Sequence, residues 1–531
     1  MKQMNNMLRK WLCLLLAAAL LTPAASMIAS AAAPRVPVIC VTGELPIQVY
    51  REDGSSYDPT GEYADEILNE AIGELVPVFL KAMLTNNYDE WSRRALEKLT
   101  PIYDEIRPNL DGSLPANTGI DYFWSPETLA DPVSCDYYYT YTFDYRISPL
   151  DAADGLRAFI EAVKAKAGSD KVALISRCGS TSLGAAYLYK YGADDLTSLT
   201  FFSSSLLGIP YADTMLGGRV VIPGDMLYHF VACQNPLASF SERLNEFAKA
   251  VLYALNENAG ADDVIRLVLR VYDKIKDSFV SPFLRSYYAI CPNFVATVND
   301  SYEDYRDFIF PTDELKQEYA VLLAQTDEYH YNVQRKLGEL FTAARDGGVP
   351  VNFVVVYGEP SENVNGERTR LVGDELTDAC YQSMGATVPF YPNTLDEGYI
   401  AERTAAGFGK YISPDKMIDA STCLFPDNTW FIRNMRHEFS GQDVIALFKA
   451  IAWTENMTVF TDPAYPQYLN ARPDHSGFDP LQETNPNDIN PDDYKPEMNN
   501  AMGFFARVIA FYAKLIARFA DMITVVCSIV A

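Results

Sequence analysis

The chain predicts an α/β fold in which a mostly parallel sheet is interrupted by a helical cap. Three observations carry this reading. Apolar runs of strand length alternate with amphipathic helices from 35 to 204, the pattern of parallel strands joined by crossovers. Between 215 and 345 the alternation gives way to successive helical segments, such as "SERLNEFAKAVLYALNENAG" (241–260) and "DVIRLVLRVYDKIKDSF" (263–279). It then resumes with "VPVNFVVVYG" (349–358) and closes with "TWFIRN" (429–434) and the helix "GQDVIALFKAIAW" (441–453). A helical block set inside an alternating sequence reads as an insertion that divides one core into 34–214 and 346–461.

The elements follow in order. Residues 1–31 read as a cleaved secretory signal: Lys2, Arg9 and Lys10 precede the apolar run "WLCLLLAAALL" (11–21), and "ASAA" (29–32) offers cleavage after Ala31. "RVPVICVTGELP" (35–46) is a strand closed by Thr42 and Gly43, and "EYADEILNEAIGELVPVFLKAML" (62–84) is helical by its spacing. "YYYTYTFDYR" (137–146) is rich in β-formers. In "LDAADGLRAFIEAVKAKAG" (150–168), Leu156, Phe159, Ile160 and Val163 share one helix face and Gly168 ends it. "KVALIS" (171–176) is a strand, "TSLGAAYLYKYG" (181–192) a helix, and "LTSLTFFSS" (196–204) the next strand. Residues 462–500, including "ETNPNDINPDDYKPE", are rich in Pro, Asn and Asp and read as a linker. Residues 501–531 read as an amphipathic helix in which Arg507, Lys514, Arg518 and Asp521 fall on one narrow stripe, a pattern that suits a membrane surface.

The chain of 531 residues is 49% hydrophobic, enough for a large core, and carries a net charge of −27. Loss of the signal removes three cations and no acid, which takes the charge to about −30. Such a surface excludes nucleic acid as a partner. Cys40, Cys135, Cys178, Cys233, Cys291, Cys380, Cys423 and Cys527 remain, widely spaced and with no C-x-x-C pair; Cys40 and Cys178 sit in or beside strands and read as free thiols. Asp488, Asn490 and Asp492 begin like a calcium loop, but Asp493 replaces its glycine and Asn499 its closing glutamate. No metal or cofactor is expected.

The chemistry centres on "LISRCGSTSLG" (174–184). A strand, a turn of small residues and a helix form the frame of a nucleophile elbow, which lifts one side chain above the sheet and aims the next N–H at a developing oxyanion. Cys178 stands at the nucleophile position, Ser176 and Ser180 replace the flanking glycines, and Ser182 is the rival nucleophile. Of the four histidines, His229 and His330 fall in the cap and His475 in the linker; His437 follows a late strand and is the expected base. The acid should lie between them, where Asp415, Asp419 and Glu359 are the candidates and Asp415, after a short turn, is favoured. Gly179 and the loop Gly43–Glu44–Leu45 would supply oxyanion N–H groups.

Taken together these segments resemble the α/β-hydrolases of the lecithin–cholesterol acyltransferase and bacterial lipase type. The resemblance runs through "PVICVTG" (37–43), "FDYR" (143–146), "KVALISRCGSTSLGAAYL" (171–188), "FFSSSLLGIPYADTMLGG" (201–218), "DKMIDAS" (415–421) and "TWFIRNMRH" (429–437), and leaves the cap unmatched. It implies a doubly wound hydrolase sheet, an acid at Asp415 and a lipid-like ester substrate. Cys178 for serine, Arg177 for histidine, Ser180 for glycine and Lys416 for glycine depart from the family pattern. The expected protein is a secreted esterase, lipase-like hydrolase or acyltransferase with a Cys178–His437–Asp415 triad. The competing reading is an inactive hydrolase-fold module that binds at the cell surface, although decay would have removed acid and base as freely as the nucleophile.

Overall fold

The computed structural model describes residues 35–42, 49–57, 62–116, 118–120, 137–220, 250, 251, 253, 261–358, 371–374, 376–390, 393–435, 437, 441–474 and 476–483. The signal segment, the calcium-like run 488–493 and the tail 501–531 lie outside the described residues.

The strands are β1 (Val38–Thr42), β2 (Val49–Arg51), β3 (Ser56–Tyr57), β4 (Thr118–Ile120), β5 (Tyr138–Thr142), β6 (Val172–Arg177), β7 (Leu196–Phe202), β8 (Val351–Tyr357), β9 (Thr429–Arg433), β10 (Tyr468–Ala471) and β11 (Phe478–Pro480). Eight of them form one sheet in the order β11-β10-β9-β8-β7-β6-β1-β5, and β3-β2-β4 form a small antiparallel sheet. Every pair in the large sheet is parallel except the edge hairpin β10–β11. The α/β class and the mostly parallel sheet are those the sequence predicts.

The apolar runs explain the sheet. A parallel strand covered on both faces reads as a continuous apolar stretch, and all of β8, "VNFVVVY", is buried. Alternate residues feed two cores. Ile39, Val41, Leu174, Phe201, Phe353 and Val355 point into one, which Leu156, Phe159 and Ile160 of the helix Pro149–Ala167 and Leu183 and Tyr187 of the helix Thr181–Tyr191 cover. Val38, Cys40, Ala173, Ile175, Val354 and Val356 point into the other, beneath Val444, Leu447, Phe448 and Ile451 of the helix Gln442–Trp453. Each Val, Leu, Ile or Phe so buried contributes roughly 1.5–3 kcal/mol, so the register is fixed by many independent terms. The helix Pro149–Ala167 is bounded as its sequence requires: Ser148 Oγ accepts from the Leu150 N–H, and Gly168 takes the left-handed conformation at φ 61°.

The linker expected over 462–500 is corrected in its first part. Tyr468–Ala471 extends the sheet beside β9, and Phe478–Pro480 pairs with it at the edge. Strands of four and three residues are too short to show a period, and Pro480 is tolerated because an edge strand leaves one side of its backbone unpaired.

Between β7 and β8 the described residues of 215–345 are helical and contain no strand. Their own core joins Leu284, Val295, Tyr305, Ile309, Leu322 and Leu323 to Ile209 and Leu216, which follow β7. Asp213, on the helix Pro210–Leu216, ties the two parts together. Its Oδ1 accepts from the N–H groups of Asn299 (3.0 Å) and Ser301 (2.8 Å), while Oδ2 is buried with no partner among the described residues. Burial pushes this carboxyl up to about 6; the two N–H groups oppose it, Asp300 adds to it and Arg219 opposes it. A folded value above the unfolded one means that stability is greatest with the proton bound and falls as pH rises from about 4 to about 6, by up to roughly 3 kcal/mol. Asp213→Asn should therefore raise Tm at pH 7.5, and the gap to the parent should close toward pH 4. A gap that stays constant across thermal melts at pH 4, 5.5 and 7.5 would refute the assignment.

Candidate active site

β6 ends at Arg177, and the chain then makes a tight 3-10 turn, Cys178–Ser180, that runs into the helix Thr181–Tyr191. Cys178 sits at φ 42°, left-handed for a residue with a Cβ. Such a conformation costs on the order of 1–3 kcal/mol and persists only where the surroundings impose it. Here they do. The Cys178 carbonyl accepts from Thr181 Oγ1 (2.5 Å) and Ser205 Oγ (2.9 Å). Ser180 Oγ accepts from the Arg177 N–H (2.9 Å) and lies 2.9 Å from the Val41 carbonyl of β1. A Cβ on Gly184 would stand 2.4 Å from Ser176 Oγ and 3.1 Å from Phe201, so only glycine lets the helix pack this closely on β6 and β7. The small residues of "SRCGSTSLG" thus force Cys178 out of the strand path.

Register brings the next group alongside. Arg177 pairs with Phe202, so Cys178 and Ser203 are the first residues beyond two neighbouring strands. Ser203 is also left-handed, at φ 49°. After β9, Asn434 turns at φ 59° with its N–H bonded to the Tyr357 carbonyl (2.9 Å), and the following loop carries His437 back over the sheet. His437 Nε2 lies 2.8 Å from Cys178 Sγ, and Nδ1 lies 2.6 Å from Asp374 Oδ2. Ser203 Oγ donates to the same Oδ2 at 2.5 Å and stands 3.0 Å from Nδ1. Asp374 Oδ1 accepts from the N–H groups of Thr377 (2.8 Å) and Leu376 (3.2 Å). The constellation stands at the carboxyl ends of β6, β7, β8 and β9, where sheet-based sites gather.

With Nδ1–H donated to Asp374, Nε2 is the nitrogen that exchanges a proton with the sulfur, the arrangement a base needs. Burial disfavours the imidazolium, but the charge of Asp374, then Cys178 and the hydrogen bonds to both, hold His437 well above the usual histidine range. Its side chain is 8% exposed and that of Asp374 fully buried, so solvent screens the pair little.

Of the residues the sequence nominates, Cys178 and His437 are brought together. Gly179 follows Cys178 at the start of the helix, where first-turn N–H groups have no partner within the helix. Gly43, Glu44 and Leu45 lie outside the described residues, as do His229, His475 and Glu359. Asp415 is corrected: it is not the group against His437. Its Oδ2 accepts from Arg433 Nη1 (2.8 Å) and Tyr357 OH (2.8 Å), and Oδ1 from Ser413 Oγ (2.5 Å) and the Met417 N–H (3.1 Å). With four donors, one of them a guanidinium, it is a buried structural carboxylate joining the ends of β8 and β9. Asp419 is likewise occupied, by Tyr399, Arg403 and Ser421. His330 is buried in the cap, stacked on Tyr302 and bonded to Gln334 Oε1 at 2.7 Å. Ser182 turns away from His437 toward Asn293.

The acid that sequence reasoning missed is Asp374. The chain leaves β8 at Gly358 and returns through a hydrogen bond from the Gly358 N–H to the Gly373 carbonyl (3.0 Å). A bridge between Gly373 and Asp378 then turns it sharply, and a Cβ on Gly373 would stand 2.6 Å from the Thr377 carbonyl. The signal available was "VGDELTD" (372–378), a glycine-acid turn in the connection between β8 and the strand that precedes His437.

Among the described residues no group of three or more His, Cys, Asp and Glu is arranged to hold a metal ion, and no helix is long and apolar enough to cross a membrane. Comparison with family models and with curated proteins returns no match. Four chains of solved structures match. One, from "The crystal structure of Tle4-Tli4 complex", is 12% identical, with 64% of this chain and 78% of that chain covered and a TM-score of 0.21.

Proposed function

We propose that the protein is a secreted acyl hydrolase of the α/β-hydrolase type that cleaves carboxylic esters or thioesters through a Cys178–His437–Asp374 triad. The observation that carries this is the unbroken line from Cys178 Sγ to His437 Nε2 (2.8 Å) and from His437 Nδ1 to Asp374 Oδ2 (2.6 Å), with the thiol on a strained turn at the start of a helix. The strand order supports the same reading: β6 lies inside the sheet beside β1, the strand whose following loop would supply the second oxyanion N–H.

In this mechanism His437 Nε2 takes the thiol proton and Sγ attacks the substrate carbonyl. The π-bond pair moves to oxygen, where the Gly179 N–H would hold it; Glu44 and Leu45, which the sequence nominates for a second N–H, lie outside the described residues. Collapse expels the alkoxide or thiolate, which His437 protonates. Water, deprotonated by His437, then attacks the acyl thioester and releases the acid and the thiol. Esters and thioesters suit this nucleophile better than amides, because a thiolate leaves more readily than an amine that has not yet been protonated. The lipid preference, and contact of the tail 501–531 with a membrane surface, rest on the family resemblance and the pattern of that segment.

Turnover of p-nitrophenyl esters of graded chain length by the mature protein tests the proposal. No turnover at any length, with Cys178 alkylating no faster than its neighbours, would leave a binding module instead. Within this mechanism Ser203 is a positioning residue. Ser203→Ala removes one hydrogen bond to a buried carboxylate, worth about 1.5–3 kcal/mol, and should lower kcat roughly tenfold or more with KM little changed. A KM effect with unchanged kcat would place Ser203 on the substrate rather than on the acid.

A further inference from the structure

The cap delivers one polar side chain to the elbow. Asn293 lies on the short helix Pro292–Val295 and is 6% exposed. Its Oδ1 is 2.6 Å from Ser182 Oγ, on the helix that follows Cys178. Ser182 Oγ also lies 2.8 Å from the Gly179 carbonyl, but a hydroxyl has one proton, and Oδ1 is the nearer acceptor. That contact orients the amide with Nδ2 toward the elbow. Nδ2 stands 3.7 Å from the point where a Cβ on Gly179 would be, and it has no hydrogen-bond partner among the described residues.

The segment is pinned on both sides. Cys291 is buried in an aromatic cluster with Tyr103, Tyr145 and Tyr287. Gln334 Nε2 donates to the Ala296 carbonyl (2.8 Å) and to the Leu206 carbonyl (3.2 Å) in the segment after β7, and Gln334 Oε1 faces His330 Nδ1. Asn293 is therefore held against a glycine at the start of the elbow helix, with an amide donor over it that no other described residue takes up.

We propose that Asn293 Nδ2 is a catalytic oxyanion donor, supplied by the cap to the charge that develops on the carbonyl oxygen when Cys178 attacks; this rests on the acyl-transfer reading. A donor fixed before reaction needs no reorganisation as charge forms, and loss of one such donor lowers turnover roughly 10²–10³-fold. The substrate oxygen would sit between Nδ2 and the Gly179 N–H, so the cap takes part in the chemistry itself.

The test separates this role from a structural one and from the hydrolytic reading. Iodoacetamide alkylates Cys178 without forming an oxyanion. An aliphatic aldehyde forms a hemithioacetal: the S–C bond forms, the π-bond pair moves to oxygen and the thiol proton goes to His437. Three quantities are measured for the parent and for Asn293→Ala: p-nitrophenyl ester turnover, Cys178 alkylation rate, and protection of Cys178 from alkylation by the aldehyde. The variant should lose about 100-fold in turnover, bind the aldehyde correspondingly more weakly, and alkylate within twofold of the parent. A variant that turns over ester and is protected as well as the parent overturns the proposal. So does one whose alkylation falls with its turnover, because the elbow itself has then moved. A parent without turnover whose aldehyde protection still depends on Asn293 would sink the hydrolytic reading and keep the donor.

Discussion

Cys178→Ala should abolish ester turnover, a loss of at least about 10⁴-fold, in a protein that still folds. The substitution removes one sulfur from a site set by backbone bonds: the Cys178 carbonyl remains held by Thr181 and Ser205, and Ser180 remains tied to β1. In the parent, Cys178 should alkylate faster than every other cysteine. An imidazolium 2.8 Å away and the start of a helix both favour thiolate. Two buried cysteines provide internal controls: burial pushes Cys423 up to about 12 and Cys291 far above its ordinary value. The sign for His437 is that of a raised base. Its charge, and the attraction that charge supplies, are fully present below the unfolded value of about 6.5 and are lost only as pH rises through the higher folded value. Cys178 labelling should accordingly stay nearly level from pH 6 to 8, while exposed thiols slow about tenfold for each unit of falling pH below their pKa. His437→Ala should restore that slope. Site-resolved iodoacetamide labelling followed by mass spectrometry reads all three. Ester turnover that survives both Cys178→Ala and complete alkylation would end the nucleophile claim.

What the sequence made legible follows from how many residues encode each feature. The strands β1, β6, β7, β8 and β9 and the helices Pro149–Ala167, Thr181–Tyr191 and Gln442–Trp453 fall within a few residues of their expected limits, because each is written in repeated apolar spacing with a capping residue or glycine at an end. The elbow was legible because small residues are needed at several positions in a row, and His437 because four histidines left few choices. β10 and β11 were not legible: their signal is three or four residues long, inside a polar and proline-rich stretch. The acid was missed for a different reason. A lone aspartate carries no periodicity, and the connection from β8 to β9 contains many acids. Asp415 lay in the segment that best resembled a family acid loop, yet Arg433 at the end of β9 and Tyr357 at the end of β8 claim its carboxylate. Asp374 is selected by a backbone bond across 15 residues, from Gly358 N–H to the Gly373 carbonyl, which no local pattern announces. Asn293 belongs to the same class, since only packing of the cap on the elbow helix brings it to Gly179.

The two aspartates should separate cleanly under the same substitution. Asp374→Asn keeps the shape of the side chain and its backbone partners at Thr377 and Leu376, but it removes the charge that faces Nδ1. If the amide turns its NH₂ toward the ring, Nδ1 must accept, the proton moves to Nε2, and the base presents N–H instead of a lone pair to the sulfur. If the amide oxygen stays, the imidazolium loses its counter-charge. Either way kcat should fall by about 10³–10⁴-fold, the loss that follows from a wrong tautomer at an intact triad. The substitution should change Tm modestly and bring the pH profile of Cys178 labelling close to that of His437→Ala. Asp415→Asn acts elsewhere. It strips the counter-charge from Arg433, which is buried 2.8 Å away, and weakens the bonds from Tyr357 and Ser413. Breaking one side of a buried ion pair costs roughly 3–5 kcal/mol, so Tm should drop by several degrees while the folded fraction keeps kcat within a few-fold of the parent at low temperature. Thermal melts paired with single-turnover acylation at 10 °C distinguish the two. If Asp415→Asn lost turnover as Asp374→Asn is expected to, with Tm unchanged, the acid would have to be returned to Asp415 and the contact between His437 and Asp374 read as incidental.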